Sequence, residues 1–200
     1  FLDGYGAIIY NVTISNSEEF TNVLRKMSDK DFHADVIILN LKPGTYKISD
    51  SFYKDQEHKY LIHLTTGTLF INGNGAVIED GYKHNFIAMQ SGTSVSINKL
   101  TFKTFYRVFV NNGNLYCSDC TFSKNDAWTL LTDTPGSVIY NKNQATFQNC
   151  IFDHNTNDVR TYAFNPNLKA SIYAESNSLT TLVNCRFTVD DTIHAADGSL

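Results

Sequence analysis

The side chains best equipped for chemistry fall in two stretches without regular hydrophobic periodicity, residues 123–136 and 153–169. The first carries Asp126, Trp128 and Asp133, and the second carries Asp153, His154, Asp158, Arg160, Tyr162 and Phe164. Carboxylates and a guanidinium hydrogen-bond hydroxyl groups well. Trp128 (the single tryptophan), Tyr162 and Phe164 offer flat rings on which sugars stack. Recognition of a glycan is the chemistry this set suits, and loops held on a rigid scaffold are where binding residues concentrate. The competing reading folds the aromatics back as a satellite cluster on the scaffold. It also leaves Asp126, Asp153 and Asp158 as ordinary surface carboxylates.

Four cysteines invite two further chemistries. Cys117-x-x-Cys120 has the spacing of half a zinc site, but no second ligand pair accompanies it, so we expect no metal and no cofactor. Cys120 and Cys150 suit a disulfide if they stand on neighbouring strands, or they pack as free thiols. The second outcome is the one expected here.

What positions these residues is a repeat. Four segments end alike: Ile97-Asn98-Lys99-Leu100-Thr101-Phe102, Cys117-Ser118-Asp119-Cys120-Thr121-Phe122, Phe147-Gln148-Asn149-Cys150-Ile151-Phe152 and Leu182-Val183-Asn184-Cys185-Arg186-Phe187. The phenylalanines recur at intervals within the roughly 20–50 residues that mark stacked repeats. Upstream of each lies a short apolar run: Phe86-Ile87-Ala88-Met89, Val108-Phe109-Val110, Val138-Ile139-Tyr140 and Ser171-Ile172-Tyr173-Ala174. Between run and ending sits a turn whose third residue is Gly92, Gly113, Asn143 or Asn177, types that tolerate positive φ. A corner then holds Lys99, Asp119, Asn149 and Asn184 in one column, with Gly73 aligned to it from an earlier unit. Left-handed backbone is expected there, with Lys99 strained or differently turned.

Three short strands per unit without helical periodicity predict a parallel β-helix. Leu100, Cys120, Cys150 and Cys185 then form one inward ladder, and Phe102, Phe122, Phe152 and Phe187 another. If Ile62, Ile87, Val108, Val138 and Ile172 point inward, alternation turns His63, Ala88, Phe109, Ile139 and Tyr173 outward. That outward column is apolar enough to mark a groove or interface, which adds Phe109 and Tyr173 to the candidate ligand contacts. At the start of the chain, Ser15-Asn16-Ser17-Glu18 has capping-box spacing, and Phe20, Val23, Leu24 and Met27 follow as a helical stripe. A helix there covers the first open rung.

The rung endings and the Pro43-Gly44-Thr45-Tyr46 turn resemble those of right-handed parallel β-helix proteins of the pectin-lyase-like group. The Asn-Cys-x-Phe endings resemble, more narrowly, adhesin-like surface proteins of methanogenic archaea and related bacterial surface proteins. The resemblance covers about residues 35–189; residues 1–34 read as an N-terminal strand and amphipathic capping helix, and 190–200 as a polar tail. Lyases of this group cluster carboxylates around calcium beside an Arg or Lys base. Hydrolases place Asp pairs on neighbouring rungs. Neither pattern occurs here, and the pectinase-like signatures Asn-Thr-Asp, Gly-His-Gly and Arg-Ile-Lys are absent. The resemblance therefore implies a secreted or cell-surface, non-catalytic domain that binds a glycan or a cell-surface protein. The alternatives are a polysaccharide lyase or glycoside hydrolase, and a structural stalk or spike segment.

Composition narrows the partners. Sixteen Lys and Arg against twenty Asp and Glu give a net charge of −4. The basic residues are scattered, so no stripe is offered to a nucleic-acid backbone. No apolar run reaches the roughly 18–20 residues of a membrane-spanning helix. The chain begins at Phe1 and its last residues show no cap, so further β-helix rungs or a homo-oligomer are expected companions.

Overall fold

The computed structural model describes residues 6–48, 60–127, 135–156, 170–189 and 193–195. Within them the chain is all-β with parallel strands and a single N-terminal helix. Strand β1 (Ile9–Ile14) precedes helix α1 (Ser17–Met27), and β2 (Val36–Leu41) and β3 (Thr45–Lys47) follow. Asn16 is the N-cap, its Oδ1 accepting from the Glu19 amide at 2.9 Å while Glu19 Oε2 accepts from the Ser15 amide at 2.7 Å. The reciprocal box thus sits one residue later than the Ser15–Glu18 spacing suggests. Phe20, Val23 and Leu24 bury against the core, with Met27 packed at its margin.

The repeat begins with β4 (Tyr60–Leu64), β5 (Thr68–Glu79), β6 (Asn85–Met89) and β7 (Ser94–Lys103). It continues as β8 (Arg107–Asn111), β9 (Asn114–Ser118) and β10 (Thr121–Ser123), then β11 (Ile139–Asn141), β12 (Gln144–Gln148) and β13 (Ile151–Asp153). The last group is β14 (Ile172–Ala174), β15 (Leu179–Val183), β16 (Arg186–Thr188) and β17 (Ile193–Ala195). One sheet of six strands runs β17-β14-β11-β8-β6-β4. The other has eleven, because the long strands β5 and β7 bend and pair along both halves. Strand β17 extends the six-stranded sheet within the segment read as a polar tail.

Equivalent residues of successive repeats stand side by side. Phe102, Phe122, Phe152 and Phe187 are register partners. Their rings stack at 5.5, 5.1 and 4.5 Å with interplanar angles of 4°, 23° and 6°. The first three are fully buried. The cysteine column lies inward too, with Cys120 and Cys150 buried, Cys185 half-buried, and all four thiols free.

The corner before that column is left-handed at Lys99, Asp119, Asn149 and Asn184, with φ of 49°, 54°, 54° and 51°. Lys99 takes the same turn as the others and carries the strain of a long side chain in it. Gly73 does not. Strand β5 holds extra residues between Asn72 and Ala76, and Asn74 and Gly75 supply the positive φ. Gly73 is glycine because a Cβ would meet the Lys99 carbonyl oxygen at 2.3 Å. Of the earlier turns, Gly92 and Asn177 have positive φ. At Gly113 and Asn143 the backbone amide is instead held by the side chain of Asn111 or Asn141, at 3.0 and 3.2 Å.

One register expectation is corrected. The inward column of the six-stranded sheet is Ile62, Ile87, Phe109, Ile139 and Ile172, and the outward one is His63, Ala88, Val110, Tyr140 and Tyr173. Phe109 is fully buried and meets Phe102 and Phe122 edge-on at 5.5 and 5.9 Å, so it is core and not a ligand contact. Val108 and Val138 are buried as well, which erases the period-two signal at these strands.

Candidate functional site

Two residues past each ladder phenylalanine the chain turns again. Thr104, Lys124, His154 and Val189 all have φ between 50° and 55°. Their amides stack onto the next repeat: Thr104 donates to the Ser123 carbonyl at 3.2 Å, Lys124 to Asp153 at 2.9 Å and His154 to Thr188 at 3.0 Å. The following position is a buried amide. Asn125 Nδ2 donates to Asn155 Oδ1 at 2.8 Å, and Asn155 Nδ2 donates to the Phe122 carbonyl at 2.9 Å. The Phe105 amide donates to Asn125 Oδ1 at 2.8 Å. Buried amides with their partners in place hold this corner rigid. The signal was in the sequence as Phe-x-x-Asn at Phe122–Asn125 and Phe152–Asn155, and sequence reasoning passed over it.

From this corner both long segments depart side by side. Asp126 and Thr156 form a parallel bridge, and the Ala127 amide donates to the Thr156 carbonyl at 3.1 Å. Asp153 and His154 form an exposed pair, His154 Nδ1 lying 2.8 Å from Asp153 Oδ1. Asp126, Asp153 and His154 thus share one corner. Trp128, Asp133, Asp158, Arg160, Tyr162 and Phe164 lie outside the described residues.

The same corner one repeat earlier holds residues that sequence reasoning missed. Asp80 and His84 are both buried, with His84 Nδ1 2.6 Å from Asp80 Oδ1. Asp80 Oδ2 also accepts from the Lys83 and His84 amides at 2.8 and 2.6 Å, so the carboxylate is fixed by the turn it closes. Burial pushes the Tyr82 phenol above its ordinary range, and the Asp126 carboxylate adds to this. Arg107 is buried with its Nε donating to the Gly136 carbonyl at 2.8 Å. Lys103 pairs with Glu79 at 3.0 Å, and that ammonium holds the Glu79 carboxyl below the usual range. Arg107 and Lys103 therefore serve the corner's own structure.

Tyr173 stands half-buried on the outward column of the six-stranded sheet, its ring 5.6 Å from that of the buried Tyr140. The Lys142 ammonium lies 4.8 Å from the Tyr140 ring. Val110 and Ala88 continue the column, half-buried. Among the described residues no three His, Cys, Asp or Glu are grouped to hold a metal ion. Burial raises the Cys117 thiol, and contact with a neighbouring thiol together with burial raises Cys120 and Cys150, so all three stay protonated at neutral pH. No helix among the described residues is long and apolar enough to cross a membrane. No family model matches the chain, and neither a curated protein nor a solved structure shows significant similarity to it.

Proposed function

We infer that the chain is a right-handed parallel β-helix, three short strands to a turn, acting as a non-catalytic, adhesin-like domain at a cell surface or outside the cell. Its ligand in this reading is a glycan or a protein of another surface. The observation that carries the reading is the exposed Asp153–His154 pair on a corner held by buried amides. Asp126 stands at the same corner, and Tyr173 lies half-buried on the outward column of the six-stranded sheet that follows it. Hydrogen-bonding side chains on a rigid support suit recognition, and a partly exposed tyrosine adds a ring. Catalysis of glycosidic cleavage needs two carboxyls set about 5–9.5 Å apart across a bound sugar. Asp80 is locked by backbone amides and His84, so it is not free to act as one of such a pair, which supports binding.

A glycan and cell-surface-protein array probed with the intact chain tests this. Wild type should bind at least one glycan or protein. Tyr173→Ala and the double change Asp153→Asn with His154→Gln should each weaken capture about tenfold, a loss of about 1.4 kcal/mol. Binding untouched by either change, or no capture at all, would remove the corner from the account.

A further inference from the structure

Charged residues make up 18% of the chain, yet one face of the stack has none. Strands β1, β2, β5, β7, β9, β12 and β15 are successive neighbours. Their outward residues form three columns. The middle one runs Ile38, Phe70, Ser96, Tyr116, Thr146 and Thr181. A second runs Asn40, Asn72, Asn98, Ser118 and Gln148, and the third passes from Thr68 through Ser94 and Asn114 to Gln144. No Asp, Glu, Lys, Arg or His stands in these columns, and charge returns at their borders, at Lys99 and Asp119 on one side and at Asp35 on the other.

The chemistry of the face is specific. Asn72 donates to Asn40 Oδ1 at 2.7 Å and Asn98 donates to Asn72 Oδ1 at 2.8 Å. Asn72 thereby spends one N–H and one lone pair along the ladder, leaving its second N–H and second lone pair for an outside partner. Phe70 and Tyr116 are the two large exposed rings here, at 40% and 39% exposure. They share one column with only Ser96 between them, two strand spacings or about 9–10 Å apart. The Tyr116 hydroxyl donates to Gln148 Oε1 at 2.7 Å, which fixes where that ring sits.

We propose that this face binds a neutral, extended polysaccharide, with Phe70 and Tyr116 stacking on sugar rings and Asn72, Asn98 and Gln148 hydrogen-bonding hydroxyls. Stacking rings and fixed amides match a sugar's apolar C–H faces and its hydroxyl rim. The missing charge selects a neutral chain, since a polyuronate or nucleic acid would need Lys or Arg opposite its anions. An open face running along the stack suits a long chain over a compact sugar. The site goes beyond the reading above, because it lies on a different sheet and shares no residue with the corner or the Tyr140–Tyr173 column.

Affinity electrophoresis of the intact chain tests it, in native gels cast with soluble hydroxyethyl cellulose, mixed-linkage β-glucan or galactomannan, and with polygalacturonate as the charged probe. At least one neutral polymer should retard the chain and polygalacturonate should not. Phe70→Ala and Tyr116→Ala should each weaken retardation about tenfold. Asn98→Asp, which adds charge without removing a ring, should do the same and keeps the test valid if a ring deletion unfolds the chain. Asn22→Ala, an exposed position on helix α1 outside both sites, should leave this retardation unchanged. Retardation by polygalacturonate alone, or by no polymer, would overturn the proposal. So would retardation that survives all three changes, or a self-associated species in sedimentation that Asn98→Asp dissolves, since a second copy would then occupy the face.

Discussion

Replacing Phe122 by alanine removes a ring held on four sides. Phe102 and Phe152 stack on its two faces at 5.5 and 5.1 Å, and Phe109 and Phe147 meet it edge-on at 5.9 and 5.6 Å. Those neighbours are anchored in their own strands, so the cavity cannot collapse. The loss should fall in the upper part of the 3–5 kcal/mol range for buried Phe→Ala. Phe187 occupies the same column but is 37% exposed, with Phe152 stacked on it. With less area removed from water and fewer anchored neighbours, Phe187→Ala should cost about 1–2 kcal/mol. Urea unfolding followed by circular dichroism measures both. Because stacked repeats can unfold in stages, each variant's slope has to be compared with wild type before midpoints are converted to free energies. Equal losses at the two positions, or a cost below about 1.5 kcal/mol at Phe122, would refute the ladder argument.

A thiol reagent applied without denaturant should label Cys185 first and leave Cys117, Cys120 and Cys150 unmodified over the same period, because contact between neighbouring thiols and burial keep them protonated and out of reach; simultaneous labelling of all four would contradict the inward column. Lys99→Asn should raise stability by about 0.5–1 kcal/mol in the same urea assay, since asparagine accepts the left-handed corner at lower cost; a loss would mean that the lysine stem contributes packing. Glu79→Gln should cost less than about 0.5 kcal/mol at pH 7, as partly exposed pairs are screened. The Glu79 carboxyl is depressed in the folded state, so its contribution is present above the unfolded value of about 4.3 and is lost as pH falls through the folded one. The variant should flatten that acid limb, and an unchanged limb would discount the pair.

The parts of this fold legible in the sequence are those fixed by local chemistry repeated in register. Asn149 and Asn184 announce a left-handed corner by residue type, and the phenylalanine beyond them announces a buried column. The strand register at Phe109 was hidden because Val108 beside it is buried too, leaving no alternation to read. Counting back from Asn111 and Asn141, whose amides bond at 2.8 Å, aligns Phe109 with Ile139 correctly. Gly73 misled for a related reason: strand β5 holds extra residues that only pairing reveals. At the candidate site, Asp126, Asp153 and His154 were placed at one corner by loop position alone. The Asp80–His84 contact was out of reach, because a buried pair depends on what the turn packs beneath. The uncharged face needed the column alignment of seven strands before its lack of charge could be noticed.

The claim that this chain binds a glycan without altering it is tested most directly by recovering the ligand. Intact protein incubated with a glycan that it retains should release that glycan at unchanged mass. Shortened products bearing new reducing ends would identify a hydrolase, and products carrying an unsaturated end would identify a lyase. Either result would contradict the account.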